Sequence, residues 1–329
     1  MKSCLSSWKA VGKKMLKKII CLICCIFTLS GCLLPSAQQE QNSQTILYEV
    51  VDATGTRLAF GSKPQRIVSM NVSCDEVLLD LVSTDRLRAL SYLSDDPGIC
   101  SAGDKVKTVK ERVQSNNLEH IVALMPDLVF VPEYSVDVIR GLRSVGLKVY
   151  VLKMPTNLKE IGDFINEIGR ATGDIQAAQQ MVAGLQQNLE QLRSRIISQV
   201  PENKRLRVLA LSFTGPLGMK GTFNDLCYYA GVRNGLDNID IPYQGNLSDE
   251  KMLELNPDLI ITPSWDYSHK GNPDDFRRKI MQNPLYASVN AVKNNRVVMM
   301  HDNYLYSTSQ YVELAVQELA RAAYPQINI

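Results

Sequence analysis

The chain has 329 residues, 45% hydrophobic and 21% charged, which is enough for two lobes of ordinary domain size, each with a buried core. Its net charge of +2 comes from the N-terminus: Lys2, Lys9, Lys13, Lys14, Lys17 and Lys18 precede residue 32 in a stretch without Asp, Glu or Arg, and without those six, 30 basic residues face 34 acidic ones. A body with that mild acidic excess argues against nucleic acid as a partner, because nucleic acid rewards a dense Lys/Arg surface.

The basic start leads into an apolar run over residues 19–27, so residues 1–31 read as a secretory signal peptide. The run is shorter than the roughly 20 apolar residues of a comfortable membrane span. It ends in Leu29-Ser30-Gly31-Cys32, which resembles the bacterial lipobox. That resemblance implies a diacylglycerol on Cys32, a mature N-terminus at the same residue, and an envelope location facing the periplasm or exterior. Residues 32–45 are polar and aperiodic and read as a lipid-anchored tether. Beyond Cys32 only Cys74, Cys100 and Cys227 remain, without metal-finger spacing; a Cys74–Cys100 disulfide and three free thiols both stay open.

A hairpin is expected over residues 46–60, around Thr54-Gly55. Strands at 66–70, 127–131 and 148–152 then alternate with helices at 73–81, 117–123 and 136–144, making an N-terminal lobe over 46–155. A helical region follows over 156–202, with Asp174 placed to cap a long helix that runs to about residue 198. A second alternation fills a C-terminal lobe over 203–329, with strands at 207–211, 258–262 and 296–300 and helices at 223–230, 248–255 and 309–322. The expected fold is α/β, two Rossmann-like lobes with mainly parallel sheets joined by a long helix.

The two halves contain a repeat. Asn117-Leu118-Glu119 through Leu124, Pro126-Asp127-Leu128 matches Ser248-Asp249-Glu250 through Leu255, Pro257-Asp258-Leu259 without a gap, at a constant offset of 131. Asn117 and Ser248 are suited to cap a helix, and Glu119 and Glu250 fall in its first turn, where the helix dipole favours negative charge. Pro132 pairs with Pro263, and Tyr134 with Trp265. Ligands of open α/β sheets bind beyond the carboxyl ends of the strands, so each lobe is expected to offer one aromatic group to a shared cleft.

These motifs, with Pro64-Gln65-Arg66-Ile67-Val68-Ser69, Gly221-Thr222-Phe223-Asn224-Asp225-Leu226 and Ala291-Val292-Lys293, resemble the class III periplasmic substrate-binding proteins of ABC importers, over about residues 64–325. The resemblance implies a ligand that is a metal chelate (ferric siderophore, haem or corrinoid) and no cofactor. It implies an ABC permease with its ATPase subunit as partner. It also implies that the connecting helix is rigid, and that Glu119 and Glu250 dock on the permease, one from each lobe. The sequence departs from the family pattern at Val72-Ser73-Cys74-Asp75-Glu76 and in the Ser91–Pro97 loop, both at the expected cleft.

Candidate ligand contacts are Tyr92, Arg112, Tyr134, Met219, Trp265, Tyr267, Tyr304 and Tyr306, since aromatic faces and an occasional cation suit a large flat chelate. His120, His269 and His301 form no cluster with metal-site spacing, so no protein-built metal site is expected. The rival readings are an envelope enzyme on a Rossmann-like scaffold and a non-transport binding lipoprotein. Against the enzyme, the glycines near residue 218 lack Gly-x-Gly-x-x-Gly spacing, and neither a Gly-x-Ser-x-Gly elbow nor a Cys/His pair is present.

Overall fold

A computed structural model describes residues 46–217, 221–237 and 247–328. The expected signal peptide, the tether with Cys32, and Met219 lie outside the described residues.

The hairpin forms as expected, with β1 (Tyr48–Val51) antiparallel to β2 (Arg57–Phe60). Its turn is held by Asp52, whose carboxylate accepts the N–H groups of Thr54 and Thr56, both at 2.9 Å. The N-terminal lobe follows as β3 (Ile67–Ser69), α1 (Val72–Leu81), β4 (Leu87–Ser91), β5 (Glu111–Val113), α2 (Leu118–Ala123), β6 (Leu128–Pro132), α3 (Val136–Ser144) and β7 (Val149–Leu152). Its strands pair in parallel in the order β5-β4-β3-β6-β7. The central strands β3 and β6 are buried along their whole length, as apolar runs covered on both faces should be.

Two helices leave this lobe, α4 (Leu158–Thr172) and α5 (Ile175–Ile197). α4 is closed at both ends: the Asn157 side chain accepts the Glu160 N–H, and Gly173 takes the left-handed conformation at φ 77°. Asp174 stands at the start of α5 but makes no capping bond through its side chain, contrary to expectation. Its carboxylate instead pairs with Lys63 at 2.6 Å and Arg86 at 2.7 Å, tying the helix start to the base of the N-terminal lobe.

The C-terminal lobe comprises β8 (Arg207–Ser212), β9 (Gly215–Pro216), α6 (Phe223–Tyr229), β10 (Arg233–Asn234), α7 (Asp249–Leu255), β11 (Leu259–Pro263), α8 (Pro273–Gln282), α9 (Asn290–Lys293), β12 (Val297–Met300), α10 (Asp302–Leu305) and α11 (Val312–Ala323). Its parallel strands run β10-β8-β11-β12, with β9 antiparallel to β8.

Each lobe has an apolar cluster of its own, and the largest apolar core passes through both lobes. Val77 and Leu78 of α1, Ile165 and Ile168 of α4, Leu189 and Ile196 of α5, Leu226 of α6 and Val316 of α11 all belong to it. The two lobes therefore share their packing through the helical spine, which resists relative rotation. Cys74, Cys100 and Cys227 are free and buried, so the disulfide left open by the sequence is not formed.

Candidate functional site

The sequence repeat is also a repeat in three dimensions. The Asn117 side chain accepts the His120 N–H at 3.1 Å, and Ser248 accepts the Lys251 N–H at 3.2 Å. Each helix ends in a left-handed residue, Met125 at φ 48° and Asn256 at φ 41°. Asp127 then accepts the N–H of Arg66 at 2.8 Å, and Asp258 that of Arg207 at 2.9 Å. Each of these arginines reaches back to a carbonyl at the end of the repeat helix: Arg66 to Met125 at 2.6 Å, Arg207 to Leu255 at 2.7 Å. The Pro-Asp junction thus locks the repeat helix to the first strand of its lobe. Glu119 and Glu250 are exposed, and neither makes a hydrogen bond or ion pair among the described residues.

Where the parallel strands end, a cavity of about 300 Å³ lies between the lobes. Ser73, Glu76 and Gly98 line it from the N-terminal lobe, and Phe213, Trp265 and Tyr306 from the C-terminal lobe. A second compartment of about 420 Å³ shares Trp265 and Tyr267 with it and adds Tyr92 and the 95–97 turn. A third, of about 670 Å³, shares Tyr306 and is bordered by Asn157, Thr222 and Asn224. The three adjoin at these shared aromatic residues.

Trp265 is held from behind. The Asp302 carboxylate accepts the N–H groups of Ser264 at 2.6 Å and Trp265 at 2.8 Å, together with the Ser264 hydroxyl at 3.0 Å. The indole then crosses to the other lobe and lies against Gly98, where an added Cβ would stand 2.4 Å from its ring carbons. Its Nε1 is buried without a partner among the described residues. At the rim, the hydroxyls of Tyr92 and Tyr267 meet across the lobes at 3.1 Å.

Of the predicted contacts, Trp265, Tyr267, Tyr306 and Tyr92 gather at this groove. Three others do not. Tyr134 is 70% exposed and lines none of the three compartments, because the turn closed by the Ser135 N–H on the Pro132 carbonyl carries it into solvent. Trp265 differs because Asp302 captures its backbone. Arg112 spends its guanidinium inside its own lobe, pairing with Asp95 at 2.7 Å and donating to the carbonyls of Val106 and Val109. Tyr304 packs half-buried against the main core, its ring 5.2 Å from that of His301.

Sequence reasoning passed over Gly98 and Asp302 altogether. It had quoted Ser73 and Glu76 only as departures from a family pattern. Glu76 is 2% exposed and joins the lobes: it accepts the Ser101 N–H at 2.6 Å and the Ser309 hydroxyl at 2.5 Å. Burial pushes its carboxyl up to about 7, with the bonds from Ser309 and Ser101 opposing the rise. Asp75 beside it is also raised to about 7 by burial, while Ser91 and Ser94 donate to it. Asp266, by contrast, is drawn down to about 2 by the N–H of Gly271 and the Ser268 hydroxyl.

Two repeated α/β lobes with a groove between them can enclose a small molecule. The family model described as periplasmic binding protein matches residues 67–304, from the first strand of the N-terminal lobe into the short helix α10 of the other. The chain belongs to the periplasmic binding protein family.

Individual relatives agree. This binding protein is 24% identical over 310 residues to YvrC of Bacillus subtilis, an uncharacterized ABC transporter substrate-binding lipoprotein, covering 90% of this chain and 93% of that one. It is 22% identical to the vitamin B12-binding protein of Vibrio vulnificus, over 78% of this chain and 88% of the relative. Its fold matches the periplasmic heme-binding protein RhuT of Roseiflexus sp. RS-1, solved in apo form, with a TM-score of 0.66, 19% identity, and coverage of 80% and 99%.

Proposed function

We propose that this binding protein is a lipid-anchored component of an ABC importer. It captures a metal chelate (a ferric siderophore, haem or corrinoid) in the interlobe groove and delivers it to the permease. One observation carries the reading: the groove is built by both lobes at once, with Trp265 of one against Gly98 of the other. Its compartments adjoin, so a ligand larger than any one of them can be accommodated, in the size range of ligand sites. The walls are aromatic and hydroxyl-bearing, which suits a chelate with a broad apolar face and hydrogen-bonding edges.

Glu119 and Glu250 are assigned to the permease. Each starts a short helix that is exposed and has its carboxylate free of internal pairing among the described residues. Cys32 is assigned to the lipid, which keeps the protein at the membrane surface between deliveries.

The sequence has two tryptophans, Trp8 and Trp265, and Trp8 falls in the expected signal peptide. In the mature chain Trp265 then reports from the groove alone. Titration with a corrinoid, a ferric siderophore and haem should give saturable quenching with one of them. No quenching with any of the three rejects the chelate reading. Reversal of both glutamates, E119K with E250K, should abolish uptake while leaving that titration unchanged; uptake at the normal rate would reject the docking role.

A further inference from the structure

The repeat carries more than a carboxylate in each lobe. One helical turn after Glu119 stands Val122, 39% exposed; one turn after Glu250 stands Leu253, 41% exposed. The residues between them and the one that follows keep the same burial order in both copies. Ile121 and Met252 are buried, His120 and Lys251 half-buried, Ala123 and Glu254 exposed. Positions three apart on a helix are surface neighbours, so each lobe shows an acidic group with an apolar group directly beside it.

A single exposed aliphatic side chain is ordinary on any protein surface. Recurrence is not ordinary when the flanking residues have diverged: His120 has become Lys251, Ala123 has become Glu254, and Met125 has become Asn256, yet the exposed position stays a branched aliphatic. Placement adds a second reason. α2 begins five residues after the end of β5, and the strands of the lobe run parallel toward the groove, so the helix start with Glu119 lies at the groove end of the lobe and Val122 stands one turn farther from it. The matching helix α7 leads into the start of β11, and β11 ends at the groove, at Pro263, so the Glu250 end of α7 is the one nearer the groove, with Leu253 one turn farther from it.

We infer that Val122 and Leu253 are the apolar anchors of the permease interface, each seated in a socket beside the cation that receives the neighbouring glutamate. The partner is therefore a surface with two equivalent sites, each a basic side chain next to an apolar depression. A two-fold or pseudo-two-fold pair of membrane subunits has that form. This rests on the docking role proposed for the glutamates and extends it. In such an interface the charges steer approach, and the desolvated apolar groups set how long the complex lasts.

The test uses the full-length lipoprotein and its cognate permease–ATPase complex in lipid nanodiscs, with association and dissociation followed at two salt concentrations. V122Q with L253Q should raise the dissociation rate tenfold or more, leaving the association rate and its salt dependence within twofold of the parent. E119Q with E250Q should do the reverse, slowing association and flattening its response to salt. Ligand titration by Trp265 fluorescence should be unchanged in both, which also confirms folding. If V122Q with L253Q dissociates at the parental rate while the glutamate pair loses binding, the anchors are refuted and the docking glutamates stand. If neither pair changes binding, both are refuted.

Discussion

Glu76 on the first helix of one lobe and Ser309, just ahead of the last helix of the other, share a hydrogen bond of 2.5 Å, and both side chains are buried. The carboxyl sits at about 7 and that of Asp75 likewise, both far above the ordinary carboxylate range, because burial disfavours their charged forms. The folded chain therefore holds protons between about pH 4 and 7 that the unfolded chain has released. Stability should fall as pH rises through that window and level off above it, by at most about 1.4 kcal/mol per pH unit for each group. E76Q should remove about half of the slope. Urea unfolding at pH 5, 6, 7 and 8 measures it, and an E76Q slope equal to the parent's would mean that Glu76 ionises normally in the folded chain.

Gly98 is the seat of Trp265. With a Cβ only 2.4 Å from the ring carbons, G98A must push the indole away from the facing lobe. The expected cost is about 1–3 kcal/mol, as for other overpacked contacts. Emission of Trp265 should shift to the red as the ring meets water, and the Tyr92–Tyr267 contact at the rim should loosen with it. An unshifted emission maximum would show that the ring does not depend on this seat.

The repeat was legible because its signals are local. Helix caps, Pro-Asp junctions and apolar strands announce themselves within a dozen residues, and Asn117, Ser248, Asp127 and Asp258 do what their types suggest. The groove was harder to read because its determinants are distant in sequence. Asp302 shapes the loop at Trp265 from 37 residues away, and Gly98 receives the indole only because the spine helices bring the lobes together. Pairing Tyr134 with Trp265 assumed that matching sequence positions point the same way, and a tight turn after Pro132 was enough to break that. Arg112 looked available as a cation because its partners, Asp95 and three carbonyls, give no sign in the sequence.

Asp302, which also lines the groove, should control ligand affinity through the backbone it holds. Its carboxylate alone orders the backbone of Ser264 and Trp265. D302N keeps one acceptor oxygen and D302A keeps none, so two backbone donors go unsatisfied in the latter at roughly 1–3 kcal/mol each. Ligand affinity should fall in the order parent, D302N, D302A, with the alanine variant weakened at least about tenfold, equivalent to ~1.4 kcal/mol. Equal affinity in all three, by fluorescence titration, would remove Asp302 from the support of the site.

The equivalent aspartates of the repeat offer a test of how the lobes are coupled. Asp127 holds the N–H groups of Gln65 and Arg66 in one lobe, and Asp258 holds Arg207 and Asn290 in the other. D127A and D258A should each cost about 1–3 kcal/mol, since the first strands two backbone donors and the second strands one backbone donor and the Asn290 side-chain amide. The two sites share no partner, so the double variant should be additive to about 0.5 kcal/mol. What distinguishes this fold from two beads on a string is the shared core along α4, α5 and α11. Weakening one lobe must then weaken the whole, and each single variant should unfold in one transition at lower denaturant, with fluorescence and far-UV circular dichroism coinciding. A separate early transition in D127A that leaves Trp265 emission native would show that the spine does not couple the lobes, and the restricted lobe motion expected of this binding protein would lose its physical basis.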